Sequence, residues 1–310
     1  MAIGGAEDKL GRTRVLRRFV REAGGSRARI VVCATASALG PEIFELYQAL
    51  FTRMGVAEVI PARPADRREA DRPALAEAVS AATGVFFTGG NQMKLSAAIR
   101  GTTFGEAVVS AYRRGVLVGG TSAGASIVSE HMVGYGTSGT IPKFRMVGMA
   151  QGLGLLPGVI IDQHFGQRDR YGRLMNLVAS SPDLLGIGLD EDTAVLVRQE
   201  SELEVVGTGS VFCVDMRSAV TDAPTVSGTT PMMISGAVTH FLPNGARFSL
   251  ATRSLLSYRD HNAVDAGDLP EPTASLAVLS RRVAAEGVDD AVVARNARRR
   301  ARTKQPKESK

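Results

Sequence analysis

Short apolar runs rich in β-branched residues alternate with longer amphipathic runs from Ala2 to about Leu250. Strands and crossover helices produce this alternation, so the pattern predicts an α/β fold with a largely parallel sheet flanked by helices. The predicted strands are 28–35, 57–61, 84–89, 116–120 and 158–162, and the predicted helices are 42–54, 73–82, 104–114 and 168–180.

The pattern changes after Gly186, where shorter strands are separated by turns. These strands predict an antiparallel extension of the same sheet. Because no linker interrupts the chain, we interpret 1–255 as one α/β domain. We expect 256–294, with a helix predicted over 273–285, to form a C-terminal extension and 295–310 to form a basic tail.

The composition is that of a globular protein, with 44% hydrophobic and 22% charged residues in a chain of 310. The formal net charge of +6 comes from the tail 295–310, which holds eight basic residues and one acidic residue and leaves −1 for the rest. We expect this tail to be disordered, because it carries charge without an apolar period. The basic charge therefore does not make nucleic acid an expected partner.

No apolar run approaches the roughly 18 residues that a membrane helix requires, and the first residues lack the apolar core of a signal peptide. We therefore expect a cytoplasmic protein with no place in a membrane. The two cysteines, Cys33 and Cys213, lie far apart in strand-like apolar runs, which favours buried thiols over a disulfide or a metal site.

A G-x-S-x-G pattern occurs at Gly120-Thr121-Ser122-Ala123-Gly124, after a predicted strand and before a helix-compatible run. This is the context of a nucleophile elbow, in which glycines permit a tight turn and the serine hydroxyl projects from the sheet edge. The Ala123 amide would then point at a developing oxyanion. The alternative is that these small residues only pack a helix against the sheet.

A second glycine-rich turn, TGGNQ at residues 88–92, follows another predicted strand. It offers backbone amides for a second oxyanion contact and offers Gln92 as a donor to substrate. A simple strand-to-helix turn would use the glycines equally well.

A serine nucleophile needs a general base, and the four histidines can be compared by position. His131 lies about two turns beyond Ser122 on the predicted helix, too far to reach it. His240 falls in a late strand and His261 in a polar loop. His164 directly follows a predicted strand, at the edge where open α/β sheets place their sites, so His164 is the best candidate.

An orienting carboxylate must hold the other imidazole nitrogen, and Asp190-Glu191-Asp192 follows a predicted strand end. Spacing does not choose among these three residues. Any one of them could instead cap a turn.

Three arginines, Arg168, Arg170 and Arg173, follow the candidate histidine on a predicted helix. Guanidinium groups beside the base would favour a substrate rich in carboxylates, which arginine binds through two parallel hydrogen bonds. A solvated helix face with Asp169 as an ion-pair partner is equally compatible with the local sequence.

Together these segments resemble the cyanophycinase family of serine peptidases, family S51, which is related to aspartyl dipeptidase. The resemblance covers about 3–253 in order, through GGAEDK, TGGNQ, GGTSAGAS, DQHF followed by R-x-R-x-x-R-L, and GIGLDEDTA. It implies a class I glutamine amidotransferase-like fold, a homodimer and no metal or cofactor. Only three residues precede Gly4, so we expect the opening strand to be truncated or the natural chain to start upstream.

The resemblance implies a triad with Ser122 as nucleophile, His164 as base and Glu191 as orienting carboxylate. It assigns the oxyanion hole to the Gly90 and Ala123 amides. The positions that the family uses around its substrate correspond to Gln92, Asp162, Arg168, Arg170 and Arg173. The implied substrate is cyanophycin, a polyaspartate backbone with arginine on its β-carboxyls, which an exopeptidase would cut to β-aspartyl-arginine.

Two other functions stay open on the sequence. An aspartyl or isoaspartyl dipeptidase with the same elbow would ignore the polymer and require a free amino terminus. A non-catalytic scaffold whose tail binds a polyanion would show salt-dependent binding that vanishes without residues 295–310. The presence of Ser122, His164 and Glu191 together favours an enzyme.

Overall fold

A computed structural model describes residues 1–259 and 274–286 of the chain. The predicted basic tail 295–310 lies outside the described residues, as do His261 and much of the predicted C-terminal extension.

Helices and strands alternate along the first part of the chain, as the apolar pattern predicts. The helices are α1 (Arg14–Glu22), α2 (Glu42–Arg53), α3 (Arg67–Ala70), α4 (Pro73–Ser80), α5 (Gln92–Ile99), α6 (Thr103–Arg113), α7 (Ala123–Ser126), α8 (Tyr171–Ser180) and α9 (Ala274–Glu286), with short 3-10 turns at Gly25–Arg27 and Gly166–Arg168. The strands are β1 (Ala2–Ile3), β2 (Arg29–Cys33), β3 (Glu58–Ala62), β4 (Gly84–Phe87), β5 (Leu117–Thr121), β6 (Ser129–Gly136), β7 (Val147–Gln151), β8 (Leu156–Gln163), β9 (Leu185–Leu189), β10 (Thr193–Arg198), β11 (Glu202–Gly207), β12 (Ser210–Asp215), β13 (Val220–Thr221), β14 (Ile234–Ser235), β15 (Val238–Pro243), β16 (Ala246–Ser249) and β17 (Ser254–Tyr258). The predicted helices are confirmed as α2, α4, α6, α8 and α9, with ends within three residues of the prediction.

The larger sheet has the strand order β17-β16-β11-β10-β1-β5-β4-β2-β3. Strands β1, β5, β4, β2 and β3 run parallel to one another. Strands β10, β11, β16 and β17 extend the sheet on one side in antiparallel pairs. The predicted fold class, a parallel sheet with an antiparallel extension, is confirmed.

A second sheet has the order β15-β12-β9-β8-β6-β7. It contains the strand predicted over 158–162, now part of β8, and three of the late strands, β9, β12 and β15. The late strands are therefore divided between two sheets, whereas their apolar pattern predicts one sheet for all of them. Alternation of apolar residues identifies the buried face of a strand but not its neighbours, because both sheets bury the same kinds of side chain.

The serine elbow is followed by a single helical turn and then by a strand. Helix α7 covers only Ala123–Ser126, and His131 lies in β6, which pairs with β7 and β8. The expectation that His131 continues the helix after Ser122 was therefore wrong. Pairing with two neighbouring strands stabilises an extended backbone in this segment, and helix propensity does not outweigh it.

Apolar side chains pack on both faces of the parallel strands. Val31 and Phe87 lie in one buried cluster, whereas their chain neighbours Val32 and Phe86 lie in another, with Tyr47 of α2. Strands buried on both faces are continuous apolar runs. This accounts for the uniformly apolar sequences that predicted β2 and β4.

Candidate active site

Ser122 lies at the sharp turn between β5 and α7, with φ 54° and ψ −113°. A positive φ is uncommon for a residue with a side chain. A hydrogen bond stabilises this backbone conformation, since the Ser122 amide donates to the Ile3 carbonyl at 2.9 Å. A Cβ built on Gly120 or Gly124 would lie 2.4 or 2.2 Å from the Phe87 carbonyl oxygen. Only glycine permits this approach, and the local geometry is that of a nucleophile elbow.

His164 follows β8 in a left-handed backbone conformation, with φ 47°. Its amide donates to the Gly4 carbonyl at 2.8 Å, which joins it to the segment after β1. Gly5 has φ 100° and lies against the imidazole, so that a Cβ built there would come 2.3 Å from His164 Cε1. Gly5 therefore leaves room for the ring, and the bond to the Gly4 carbonyl fixes the backbone of His164.

The imidazole of His164 joins the serine to a carboxylate. Its Nε2 lies 3.0 Å from Ser122 Oγ, and its Nδ1 lies 2.6 Å from Glu191 Oε1. An ionised carboxylate only accepts hydrogen bonds, so we assign the proton to Nδ1, and Nε2 then accepts from the serine hydroxyl. A serine nucleophile and its general base require this order of donors and acceptors.

One of the three acidic residues that follow β9 reaches the histidine. Asp190 caps a turn by accepting the Ser210 amide at 3.1 Å, and Asp192 accepts the Asp8 amide at 2.9 Å. Glu191 lies between them in sequence and directs its carboxylate to His164. The geometry therefore favours Glu191 as the carboxylate that orients the histidine, a choice that the local sequence does not make.

The environment favours a neutral histidine beside an ionised carboxylate. Burial lowers the pKa of His164, the positive charge of Arg168 lowers it further, and the hydrogen bond to Glu191 only partly opposes both. The same hydrogen bond lowers the pKa of Glu191. A neutral imidazole can accept the serine proton, which is what a general base must do.

Two backbone amides lie beside the serine. The Ala123 amide opens α7 directly after Ser122, and neither it nor the Gly90 amide donates to another described residue. Gly90 has φ 133°, and a Cβ there would lie 2.2 Å from the Ala36 carbonyl oxygen. A Cβ on its neighbour Gly89 would lie 3.4 Å from the serine Cβ, so this turn closely approaches the nucleophile. Both amides can therefore serve as hydrogen-bond donors near the reacting oxygen.

A cavity of about 250 Å³ opens over the serine. Gly90, Ser122, His164 and Glu191 all line it, which brings residues from four separate segments to one wall. Val283 of α9 lines another part of the same cavity. The candidate site is thus assembled from nearly the whole length of the described chain.

The predicted substrate residues are divided between this cavity and its surroundings. Arg168 lines the cavity. Asp162, Arg170 and Arg173 are buried, with side chains 0%, 7% and 5% exposed, and both arginines bond to Asp162. Gln92 donates its side-chain amide to a carbonyl of β6 at 2.9 Å. The structure brings Arg168 to the candidate site and does not bring the other four to the described cavity wall.

Comparison with known families gives a match to Peptidase family S51 over residues 1–205. The chain belongs to peptidase family S51. Its family makes it a hydrolase of peptide bonds. This S51 peptidase is 39% identical over 258 residues to a cyanophycinase from Trichormus variabilis, covering 83% of this chain and 87% of that relative. It is 36% identical over 254 residues to a cyanophycinase from Geminocystis herdmanii, covering 81% of this chain and 93% of that relative.

A solved structure gives an independent comparison of the fold of this S51 peptidase. A peptidase from an acI-B1 actinobacterium matches it with a TM-score of 0.53 and 20% sequence identity, over 77% of this chain and 95% of the other. At this identity the likeness shows the shared fold alone.

Sequence reasoning gave no role to several side chains near the reacting groups of the S51 peptidase. Glu7, Lys9 and Tyr47 line the cavity, and Gln167 Oε1 accepts the Glu191 amide at 3.0 Å. The available signal was the segment GGAEDK, in which Glu7 and Lys9 come shortly after two glycines that follow the opening strand. Tyr47 lies on the apolar face of a helix and gives no such signal.

The cysteines of the S51 peptidase are buried free thiols, as predicted, and burial raises the pKa of Cys33 to about 11 and that of Cys213 to about 12. Within residues 1–259 and 274–286, no group of three or more His, Cys, Asp or Glu side chains is placed to hold a metal ion. Over the same ranges, no helix combines the length and apolar character needed to cross a membrane.

Proposed function

We propose that this chain is a serine exopeptidase that hydrolyses the aspartyl backbone of cyanophycin to β-aspartyl-arginine. The observation that carries the proposal is a chain of two hydrogen bonds in the wall of one cavity. His164 Nε2 lies 3.0 Å from Ser122 Oγ, and His164 Nδ1 lies 2.6 Å from Glu191 Oε1. Membership of family S51 and the cyanophycinases that are 36% and 39% identical support the choice of substrate.

The reaction begins with attack of Ser122 Oγ on the carbonyl carbon of an aspartyl peptide bond, while His164 Nε2 takes the hydroxyl proton. The carbonyl electrons move to oxygen, and the Gly90 and Ala123 amides donate hydrogen bonds to this oxyanion. Glu191 stabilises the imidazolium through the hydrogen bond to Nδ1. Collapse of the intermediate breaks the carbon–nitrogen bond, and the imidazolium gives its proton to the leaving amine.

The acyl group is then an ester on Ser122. Water attacks this ester as His164 takes one of its protons. Collapse of the second intermediate breaks the bond from the carbonyl carbon to Ser122 Oγ, and the imidazolium gives its proton to that oxygen as the carboxylic acid leaves. Both half-reactions begin with a neutral imidazole. The lowered pKa of His164 therefore supports its role as base in each of them.

The shape and charge of the cavity suit the polymer and its product. Arg168 supplies a guanidinium beside His164, and each residue of cyanophycin carries an arginine α-carboxylate that such a group binds well. A volume of about 250 Å³ holds only a short unit of substrate, which favours removal of dipeptides from a chain end. We include a homodimer in the proposal on the strength of the resemblance to cyanophycinases.

The proposal is tested by incubating the purified enzyme with insoluble cyanophycin, following clearing and identifying products by mass spectrometry. The wild type should clear the suspension and release β-aspartyl-arginine, whereas Ser122→Ala should do neither, because it lacks the nucleophile. Ser126→Ala is the matched control. It removes a buried hydroxyl that bonds no other described residue from the same short helix, and it should keep the activity.

Failure of the folded wild type to clear cyanophycin would contradict the polymer as substrate. Cleavage of Asp-X or β-Asp-X dipeptides by the same preparation would then favour an aspartyl or isoaspartyl dipeptidase. Equal clearing by Ser122→Ala would contradict the assignment of the nucleophile.

A further inference from the structure

Lys9 and Glu7 form a second charged group in the cavity wall, on the segment that follows β1. Lys9 Nζ lies 2.9 Å from Glu7 Oε1, and the two side chains are only 6% and 1% exposed. A lysine or glutamate is seldom buried this deeply unless it is paired. The proposed hydrolysis by serine, histidine and glutamate gives this pair no role.

The protein itself satisfies the carboxylate of Glu7. This carboxylate accepts the Tyr47 hydroxyl at 2.6 Å, the Thr121 hydroxyl at 2.5 Å and the Lys9 ammonium. Burial alone would raise the pKa of Glu7, but the charge of Lys9 and the two hydroxyl groups outweigh burial and hold the pKa below its usual value. Glu7 is therefore a buried anion, and both of its oxygens already accept hydrogen bonds from the protein.

The hydrogen-bond donors of Lys9 are only partly used by the protein. Its Nζ donates to the Glu7 carboxylate and, at 3.2 Å, to the Glu7 carbonyl, and it lies 5.9 Å from the centre of the Tyr47 ring. An ammonium group has three N–H donors, so these two bonds to described residues leave one donor for a molecule in the cavity that Lys9 lines. A carboxylate makes the strongest hydrogen bond to such a donor.

Thr121 links this charged pair to the reaction centre. It directly precedes Ser122, its hydroxyl donates to Glu7, and Glu7 in turn holds Lys9. The ammonium is thereby held in a defined position relative to the serine oxygen. We propose that Lys9 binds a carboxylate of the substrate residue beside the scissile bond, with Glu7 as the positioning residue for Lys9. This inference rests on the proposed function, in which every residue of cyanophycin carries an arginine α-carboxylate.

The experiment compares two soluble substrates: a fragment of two linked β-aspartyl-arginine units, and the same fragment with its arginine carboxylates converted to amides. The wild type should prefer the carboxylate form by about 10- to 100-fold in kcat/KM, which corresponds to one charge-assisted hydrogen bond. Lys9→Met should reduce this preference by about 10-fold, mainly by raising KM for the carboxylate form, and the preference that remains belongs to Arg168. A merely structural role for Lys9 would weaken cleavage of both fragments equally.

Further variants separate binding from folding. Lys9→Met leaves the buried Glu7 carboxylate without its cation. The double variant Glu7→Gln/Lys9→Met removes both charges and should show the same reduced preference. Lys9→Arg keeps a cation and should retain a preference for the carboxylate. Tyr47→Phe is the matched control, because it removes one hydrogen bond from Glu7 and keeps both charges, and it should retain the preference as well.

An unchanged preference in Lys9→Met or in the folded double variant would overturn the inference and leave the proposed function intact. A wild type that cleaves both fragments equally well would have the same consequence. Cleavage of neither fragment by the wild type would overturn the proposed function and, with it, this inference.

Discussion

Two charged clusters lie next to each other at the end of β8 and differ in character. Asp162 belongs to an arginine cluster with Arg170 and Arg173, in which no side chain is more than 7% exposed. His164, two positions later, belongs to the proposed triad, whose carboxylate Glu191 is 35% exposed. The first cluster is enclosed by the protein, and the second opens to a cavity.

The two clusters differ in which polar groups remain available to bind another molecule. The two guanidiniums share the Asp162 carboxylate, and Arg170 also donates to the carbonyl and the side chain of Gln163, both at 2.6 Å. The triad keeps a serine oxygen facing the cavity. An arginine near a candidate base is therefore not by itself a substrate contact, because a buried carboxylate nearby can engage it instead.

The largest effect is expected from Glu191→Gln, which keeps the size of the side chain and removes its charge. The kcat should fall by roughly 10³- to 10⁴-fold, because a neutral amide neither stabilises the imidazolium nor fixes the ring tautomer. The free energy of unfolding should change little, because His164 is neutral and no buried charge loses its partner. Steady-state kinetics on cyanophycin fragments and urea unfolding measure the two quantities.

Asp192→Asn is the matched control for Glu191→Gln. Asp192 is the next residue in the chain, and its carboxylate bonds the Asp8 amide and not the histidine. The kcat of Asp192→Asn should fall far less than the kcat of Glu191→Gln. An equal loss of kcat in the two variants would contradict a specific role for Glu191.

The next largest effect is expected from Asp162→Ala, in the arginine cluster. Removing this carboxylate leaves two buried guanidiniums without their anion, so the free energy of unfolding should fall by about 3–5 kcal/mol. Glu58→Ala is the control, because it breaks an exposed pair with Arg29 and should lower stability by less than about 1 kcal/mol. Urea unfolding of both variants provides the measurement.

Kinetics of the folded fraction of Asp162→Ala sharpen the comparison. We expect kcat and KM per folded molecule to change much less than in Glu191→Gln. A large rise in KM with unchanged stability would contradict the comparison and assign Asp162 to substrate binding.

The smallest effect is a shift in pH dependence, which we expect from Arg168→Gln and read from the position of the acidic limb, apart from any loss of binding to a substrate carboxylate. Because burial and the charge of Arg168 lower the pKa of His164, kcat/KM of the wild type should rise with pH through a value below the usual histidine pKa of about 6.5. Removal of the positive charge raises the His164 pKa, so the acidic limb should move to higher pH. Profiles of kcat/KM against pH test this, and an unmoved limb would contradict the electrostatic coupling.

Local pattern was sufficient for much of the fold and part of the site. Alternating apolar and amphipathic runs predict the helices and the parallel strands, and the glycines around Ser122 predict its tight turn. His164 was favoured by its place after a strand. The choice of Glu191 from three neighbouring acids came from family resemblance. Local sequence does not make this choice, because it depends on which of the three side chains faces a histidine on another segment.

The remaining features depend on contacts between distant segments. The division of the late strands into two sheets depends on their neighbours, which periodicity does not specify. Arg170 and Arg173 are buried because Asp162, on β8, faces α8. Lys9 reaches the cavity because the segment after β1 passes beside the elbow. The periodicity of apolar residues along the chain specifies none of these contacts.

The cavity wall includes Val283 of α9, whereas the last member of the proposed triad, Glu191, lies 92 positions earlier in the sequence. During synthesis, the residues of the proposed triad therefore leave the ribosome well before α9, the helix that packs against α2. A nascent chain can hold the serine, the histidine and the glutamate and still lack one side of the cavity. A complete substrate site is thus among the last properties that the growing polypeptide acquires.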